Sequence, residues 1–127
     1  MSCIYFQFIV TDLQFKIKNF FYSGIPSVSV PQNQYSVNKG SSVTLQCSYT
    51  ANPSATMVRW ERTVGNTVTS IGDTSTQNKY SGSTVSSPSL VINNADESDE
   101  GNYICKVTNS LGTGISSSTN LDVVGSE

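Results

Sequence analysis

Apolar and polar residues alternate with a period of two through most of this chain, the spacing of strands that bury one side. Ser42 to Tyr49 sets Val43, Leu45 and Cys47 on one side and Ser42, Thr44, Gln46 and Ser48 on the other. Thr56 to Glu61 sets Val58 and Trp60 against Met57, Arg59 and Glu61. Asn102 to Thr108 places Tyr103, Cys105 and Val107 together, with Ile104 and Lys106 facing away. Shorter runs lie around Val28 and Val30, from Thr67 to Ile71, around Leu90 and Ile92, and at the end to about Val124. Clusters of Gly, Asn, Ser and Asp separate them, as turns separate the strands of an all-β domain. Pro31 cannot donate to a ladder, so it marks an edge strand or its end. Lys39-Gly40 is a turn, and Asn109-Ser110-Leu111-Gly112 reads as a hairpin closed by a positive φ at Gly112. Gly72 to Ser83 is polar and weakly patterned, so register there is poorly specified.

The chain divides near Gly24. All five Phe (Phe6, Phe8, Phe15, Phe20, Phe21) precede that point, and Ser, Thr, Val and Asn dominate after it. Residues 1–23 are therefore expected to be a separate N-terminal segment and 24–125 the folded domain. Cys3 to Val10 has the length of a leader's apolar stretch, yet no Lys or Arg precedes it, and cleavage after Gly24 would put bulky Tyr22 where a small residue is needed. Asp12, Lys16 and Lys18 break any run long enough to cross a bilayer. Alternation at Leu13, Phe15 and Ile17 is strand-like. A doubtful start of the chain accounts for the segment, and for the odd Cys3, more simply than a signal does.

Charge and composition then exclude several kinds of work. Seven Lys plus Arg against nine Asp plus Glu leave a net charge of -2, without the basic excess of a nucleic-acid binder. The absence of His removes imidazole bases, His-ligated metals and every triad that needs an imidazole. The acidic run Asp96, Glu97, Asp99, Glu100 followed by Gly101 fails as a calcium loop, because a loop starting at Asp96 has Ser98 third and Val107 where a bidentate Glu belongs. Neighbouring carboxylates on a turn also lack the cleft that glycoside hydrolysis needs. Gly112 and Gly114 precede no helix, so they form no phosphate cradle. No catalytic residue, metal or cofactor is expected, and the partner is expected to be protein.

Cys47 and Cys105 sit at inward positions of two predicted strands, which makes them candidates for a buried bridge. The other reading is a pair of buried free thiols. A bridge closing so long a loop is worth roughly 4 kcal/mol in the chain-entropy model, comparable with the net stability of a small domain. It also implies an oxidising compartment. Trp60, the only Trp, is expected against the core with its N–H partnered.

Cys47, Trp60, Leu90 and the run Asp99-Glu100-Gly101-Asn102-Tyr103-Ile104-Cys105 together resemble the immunoglobulin superfamily over about Ile25 to Val124. The resemblance implies a two-sheet antiparallel β-sandwich of Greek-key topology, a Cys47–Cys105 bridge between the sheets, and Trp60 packed on it. It also implies a corner in which the Tyr103 hydroxyl bonds backbone just upstream, with Asp99 paired to a base, Lys79 being the counterpart. Asn109-Ser110-Leu111-Gly112 is similar to the corresponding hairpin of the intermediate (I-set) type. The long stretch between Trp60 and Leu90 departs from a minimal domain and leaves room for a variable-type edge.

Recognition is the work that remains. By parity, Arg59, Glu61, Ile104 and Lys106 share the outward side of the strands that carry Trp60 and Cys105, a surface through which members of this superfamily often pair. Asn109, Ser110 and Leu111, at the end of the sandwich, are the alternative contact residues. The expected function is an extracellular or cell-surface module for protein recognition or adhesion, homophilic or heterophilic, beside other such domains and without membrane insertion of its own. One alternative is an immune-type receptor or binder of soluble ligands. The other is an intracellular I-set element of a muscle or cytoskeletal protein, whose cysteines would stay reduced.

Overall fold

A computed structural model describes residues 23–71 and 78–125. The expectations for residues 1–22 and for 72–77 lie outside the described residues. Among the described residues eleven strands follow in chain order. They are β1 (Gly24–Ser29), β2 (Gln34–Asn38), β3 (Val43–Leu45), β4 (Ser48–Asn52), β5 (Met57–Val64), β6 (Thr67–Ile71), β7 (Tyr80–Gly82), β8 (Leu90–Ile92), β9 (Gly101–Asn109), β10 (Gly112–Ile115) and β11 (Thr119–Val124). A 3-10 turn, Glu97–Asp99, precedes β9.

Two layers result. One is the sheet β2-β11-β9-β5-β6, with β10 also on β9. The other contains β1-β4 and β3-β8-β7, which join because only Gln46 and Cys47 separate β3 from β4. The chain passes between layers from β1 to β2, β2 to β3, β4 to β5, β6 to β7 and β8 to β9, the Greek-key path expected. β5 and β9 run through the centre of the first layer in antiparallel register from Met57↔Thr108 to Thr63↔Asn102. Their inward residues alternate as anticipated: Val58, Trp60, Tyr103, Cys105 and Val107 are buried.

The bridge joins the layers. Cys47 and Cys105 are disulfide-bonded with Cα atoms 6.7 Å apart. Trp60 is the register partner of Cys105, fully buried, and its Nε1–H donates to the Pro88 carbonyl at 2.8 Å. Burying an indole contributes roughly 5 kcal/mol of gross transfer free energy at about 25 cal/mol per Å². Leu45, Leu90, Ile92 and Leu121 complete the fully buried centre.

Four local expectations need correction. The run Ser42 to Tyr49 is not one strand, because the Gln46 N–H goes to the Tyr35 hydroxyl and the Cys47 N–H to Ser89 Oγ, both at 3.0 Å. Side chains have replaced the ladder at the bridge. The strand carrying Trp60 continues past Glu61 to Val64, since β6 and β9 pair with it on both sides. The last strand breaks at residues 116–118, where Ser116 Oγ accepts the Cys105 N–H. Finally, the sandwich is antiparallel except for β2 and β11, which run parallel. After Pro31 the chain leaves the layer of β4 and joins the other layer alongside its last strand.

Candidate recognition surfaces

The outward side of β5 and β9 holds the four residues that parity had grouped. Arg59 lies opposite Lys106, and Glu61 opposite Ile104. The like charges of Arg59 and Lys106 are held side by side by Glu61, whose carboxylate lies 3.0 Å from Lys106 Nζ and 3.8 Å from Arg59 Nε. All four are half-buried. Around them stand three exposed apolar side chains, Met57 (44 % exposed), Val68 (58 %) and Ile115 (56 %), of which the alternation of residues 56–61 had placed only Met57 on this side. Met57 follows from the parity of Arg59. Val68 and Ile115 do not, because their placement needs the registers Val68↔Thr63 and Ile115↔Lys106.

One end of the sandwich gathers the start of β1, the turn between β4 and β5, and the turn Ser110–Leu111. Ser110 and Leu111 are exposed there. Asn109, expected with them, is buried and committed to its own fold. Its Oδ1 accepts the N–H groups of Leu111 at 2.9 Å and Gly112 at 3.2 Å, while Nδ2 donates to the carbonyls of Gly24 at 2.8 Å and Pro53 at 3.0 Å. It is withdrawn as a contact residue. Gly112 has φ +149°, as its turn role required, and a Cβ there would come 2.7 Å from Ile25 Cγ2.

The opposite end is charged. Asp99 is buried, and its Oδ2 accepts Lys79 Nζ at 2.7 Å and the Asp96 N–H at 2.9 Å. The Tyr103 hydroxyl donates to the Asp99 carbonyl. Burial, and then the Asp99 charge, push the Tyr103 phenol well above its ordinary range, and the same two causes raise Tyr80. Arg62 Nη1 caps the turn by donating to the carbonyls of Ser98 and Glu100. Asp96 accepts from Ser98, which holds its carboxyl below the ordinary carboxylate value. Glu97 is lowered too, by a backbone hydrogen bond first and by Lys39 beside it second. This acidic run thus closes a turn, and among the described residues no group of three His, Cys, Asp or Glu could hold a metal ion.

A family model described as immunoglobulin domain matches residues 33–118. The chain belongs to that family. Among solved structures, this immunoglobulin domain is similar to the tandem Ig repeats of Dlar, at 28% identity and a TM-score of 0.65 over 80% of this chain and 49% of that one. It is likewise similar to the N-terminal Ig1-2 module of the Drosophila receptor protein tyrosine phosphatase DLAR, at 30% identity and a TM-score of 0.60 over 81% of this chain and 47% of that one. A marsupial T cell receptor shares the fold, at 20% identity and a TM-score of 0.64 over 80% of this chain and 52% of that one. The chain spans about half the length of each of these matches. Immunoglobulin domains are typically non-catalytic. An open depression lined by Val30, Pro31, Gln32, Asn33 and Ser117 contains no ionisable side chain. Among the described residues no helix is long and apolar enough to cross a membrane.

Proposed function

We propose that this immunoglobulin domain is an extracellular adhesion or recognition module that meets a protein partner through the outward side of β5, β9 and β10. The observation that carries the reading is the surface itself, a Glu61-centred charge network with Ile104 beside it and exposed Met57, Val68 and Ile115 around it. Glu61 offsets part of the charge of the two cations beside it, which lowers the cost of desolvating them, while the apolar rim supplies a driving force for contact. The disulfide supports an oxidising compartment. Similarity to the Ig repeats of a receptor supports the same setting, and their tandem arrangement supports neighbouring domains in the full polypeptide.

The test uses beads coated with the full chain, scored for clustering with one another and for attachment to cells. Clustering or attachment is expected, abolished by Ile104→Asp combined with Lys106→Glu and unchanged by Leu111→Ser. Loss on Leu111→Ser alone would transfer recognition to the loop end and favour the immune-type reading. Neither clustering nor attachment by the folded, bridged chain would reject adhesion.

A further inference from the structure

We propose that Asn109 is a positioning residue that makes the start of β1, the turn after β4 and the Ser110–Leu111 turn one cooperative unit, so that the chain entering the domain is coupled to its loop tips. The carboxamide is 4 % exposed. Its four hydrogen bonds use both N–H donors and both lone pairs of the amide, which leaves no spare valence for solvent. The acceptors Gly24 and Pro53 lie far from Asn109 in sequence, so a single side chain ties three separate segments together.

Backbone packing reinforces the tie. A Cβ at Gly114 would fall 1.9 Å from the Pro26 carbonyl oxygen, so β1 rests directly on the bare backbone of β10. When β1 frays, Nδ2 loses the Gly24 acceptor inside a buried site, which carries the desolvation cost of an unmade bond. When the Ser110–Leu111 turn reorients the amide, both other segments lose their donor at once. Each segment is therefore held in place by the other two. The coupling goes beyond the recognition reading, since it holds whichever surface meets a partner and its test uses none.

Asn109→Asp separates the two halves of the amide: it keeps the acceptors and replaces the donors with a carboxylate facing two carbonyl oxygens. Amide hydrogen exchange on the full chain at neutral pH is expected to leave Leu111 and Gly112 protected while the β1 amides bonded to β4 exchange roughly tenfold faster. Asn109→Ala should release both sets, with β3 and β8 at wild-type rates. Unchanged β1 amides in both variants, or equal acceleration throughout the domain, would overturn the proposal. Should the variants not fold, the wild type decides. In urea below the unfolding transition, Leu111, Gly112 and the β1 amides should open with one common free energy, and separate openings would overturn the coupling.

Discussion

The two ends of this sandwich are closed by opposite chemistry. At one end a buried carboxylate, Asp99, organises Lys79, the Asp96 N–H and, through its carbonyl, Tyr103, while Arg62 caps the neighbouring carbonyls. At the other end a neutral amide, Asn109, does comparable work, and residues 23–29, 51–57 and 109–116 include no charged side chain. The charged end also holds Asp96 and Glu97, whose carboxyls are lowered in the folded state, whereas the amide closure carries no titratable group. The end nearest the exposed loops is thus fixed by the chemistry that changes least with conditions.

Between the ends lies the bridge they share, and breaking it should have the largest effect. Cys47→Ala with Cys105→Ala is expected to cost about 4 kcal/mol in chemical denaturation, loosening both ends together. Loss of one end only would show that the closures do not depend on the common floor.

The closures themselves come next. Asp99→Ala strands Lys79 and the Asp96 N–H and should cost about 2–3 kcal/mol, below the value for a fully buried pair because Lys79 reaches solvent. Asn109→Ala removes no charge and should cost about 2 kcal/mol, measured in the same way. A larger loss from Asn109 would reverse the ranking of the two ends.

Acidity separates the ends without mutation. The Asp96 and Glu97 carboxyls are depressed in the folded state, so their stabilisation is complete above the ordinary values of 3.8 and 4.5 and is lost as pH falls through the lower folded values. Tyr80 and Tyr103 are raised, so theirs is complete below pH 10.0 and is lost as pH climbs above it. Exchange rates corrected for intrinsic chemistry should rise at residues 96–100 in acid, while Leu111 and Gly112 stay protected. Equal acid sensitivity at both ends would contradict the contrast. The smallest effect belongs to Lys39→Ala, which removes an exposed pair with Glu97 and should change stability by less than about 0.5 kcal/mol in thermal denaturation.

How legible each feature was from sequence follows from how far its partners lie along the chain. Cys47, Trp60 and Cys105 occupy inward parities of strong alternations, so their burial follows from local pattern. The Asp99–Tyr103 corner is contained in five residues, and Lys79 was named as its base by the family resemblance. The break at Gln46 and Cys47 depends instead on Tyr35 and Ser89, which no period-two pattern connects to them. Parallel pairing of β2 with β11 likewise joins opposite ends of the domain. Asn109 was misjudged as a contact residue because a turn Asn is normally exposed, and its burial depends on carbonyls of Gly24 and Pro53 that have no side-chain signature. On the outward surface Arg59, Glu61, Ile104, Lys106 and Met57 were readable by parity, but Val68 and Ile115 needed strand registers.

The most direct test of a bridged, outward-presenting sandwich is the state of its sulfurs. The chain would be isolated in alkylating reagent, digested without reductant, and its peptides weighed. Cys47 and Cys105 are predicted to emerge in one linked pair, free of label. Label on both residues would contradict the bridge and, with it, the extracellular role.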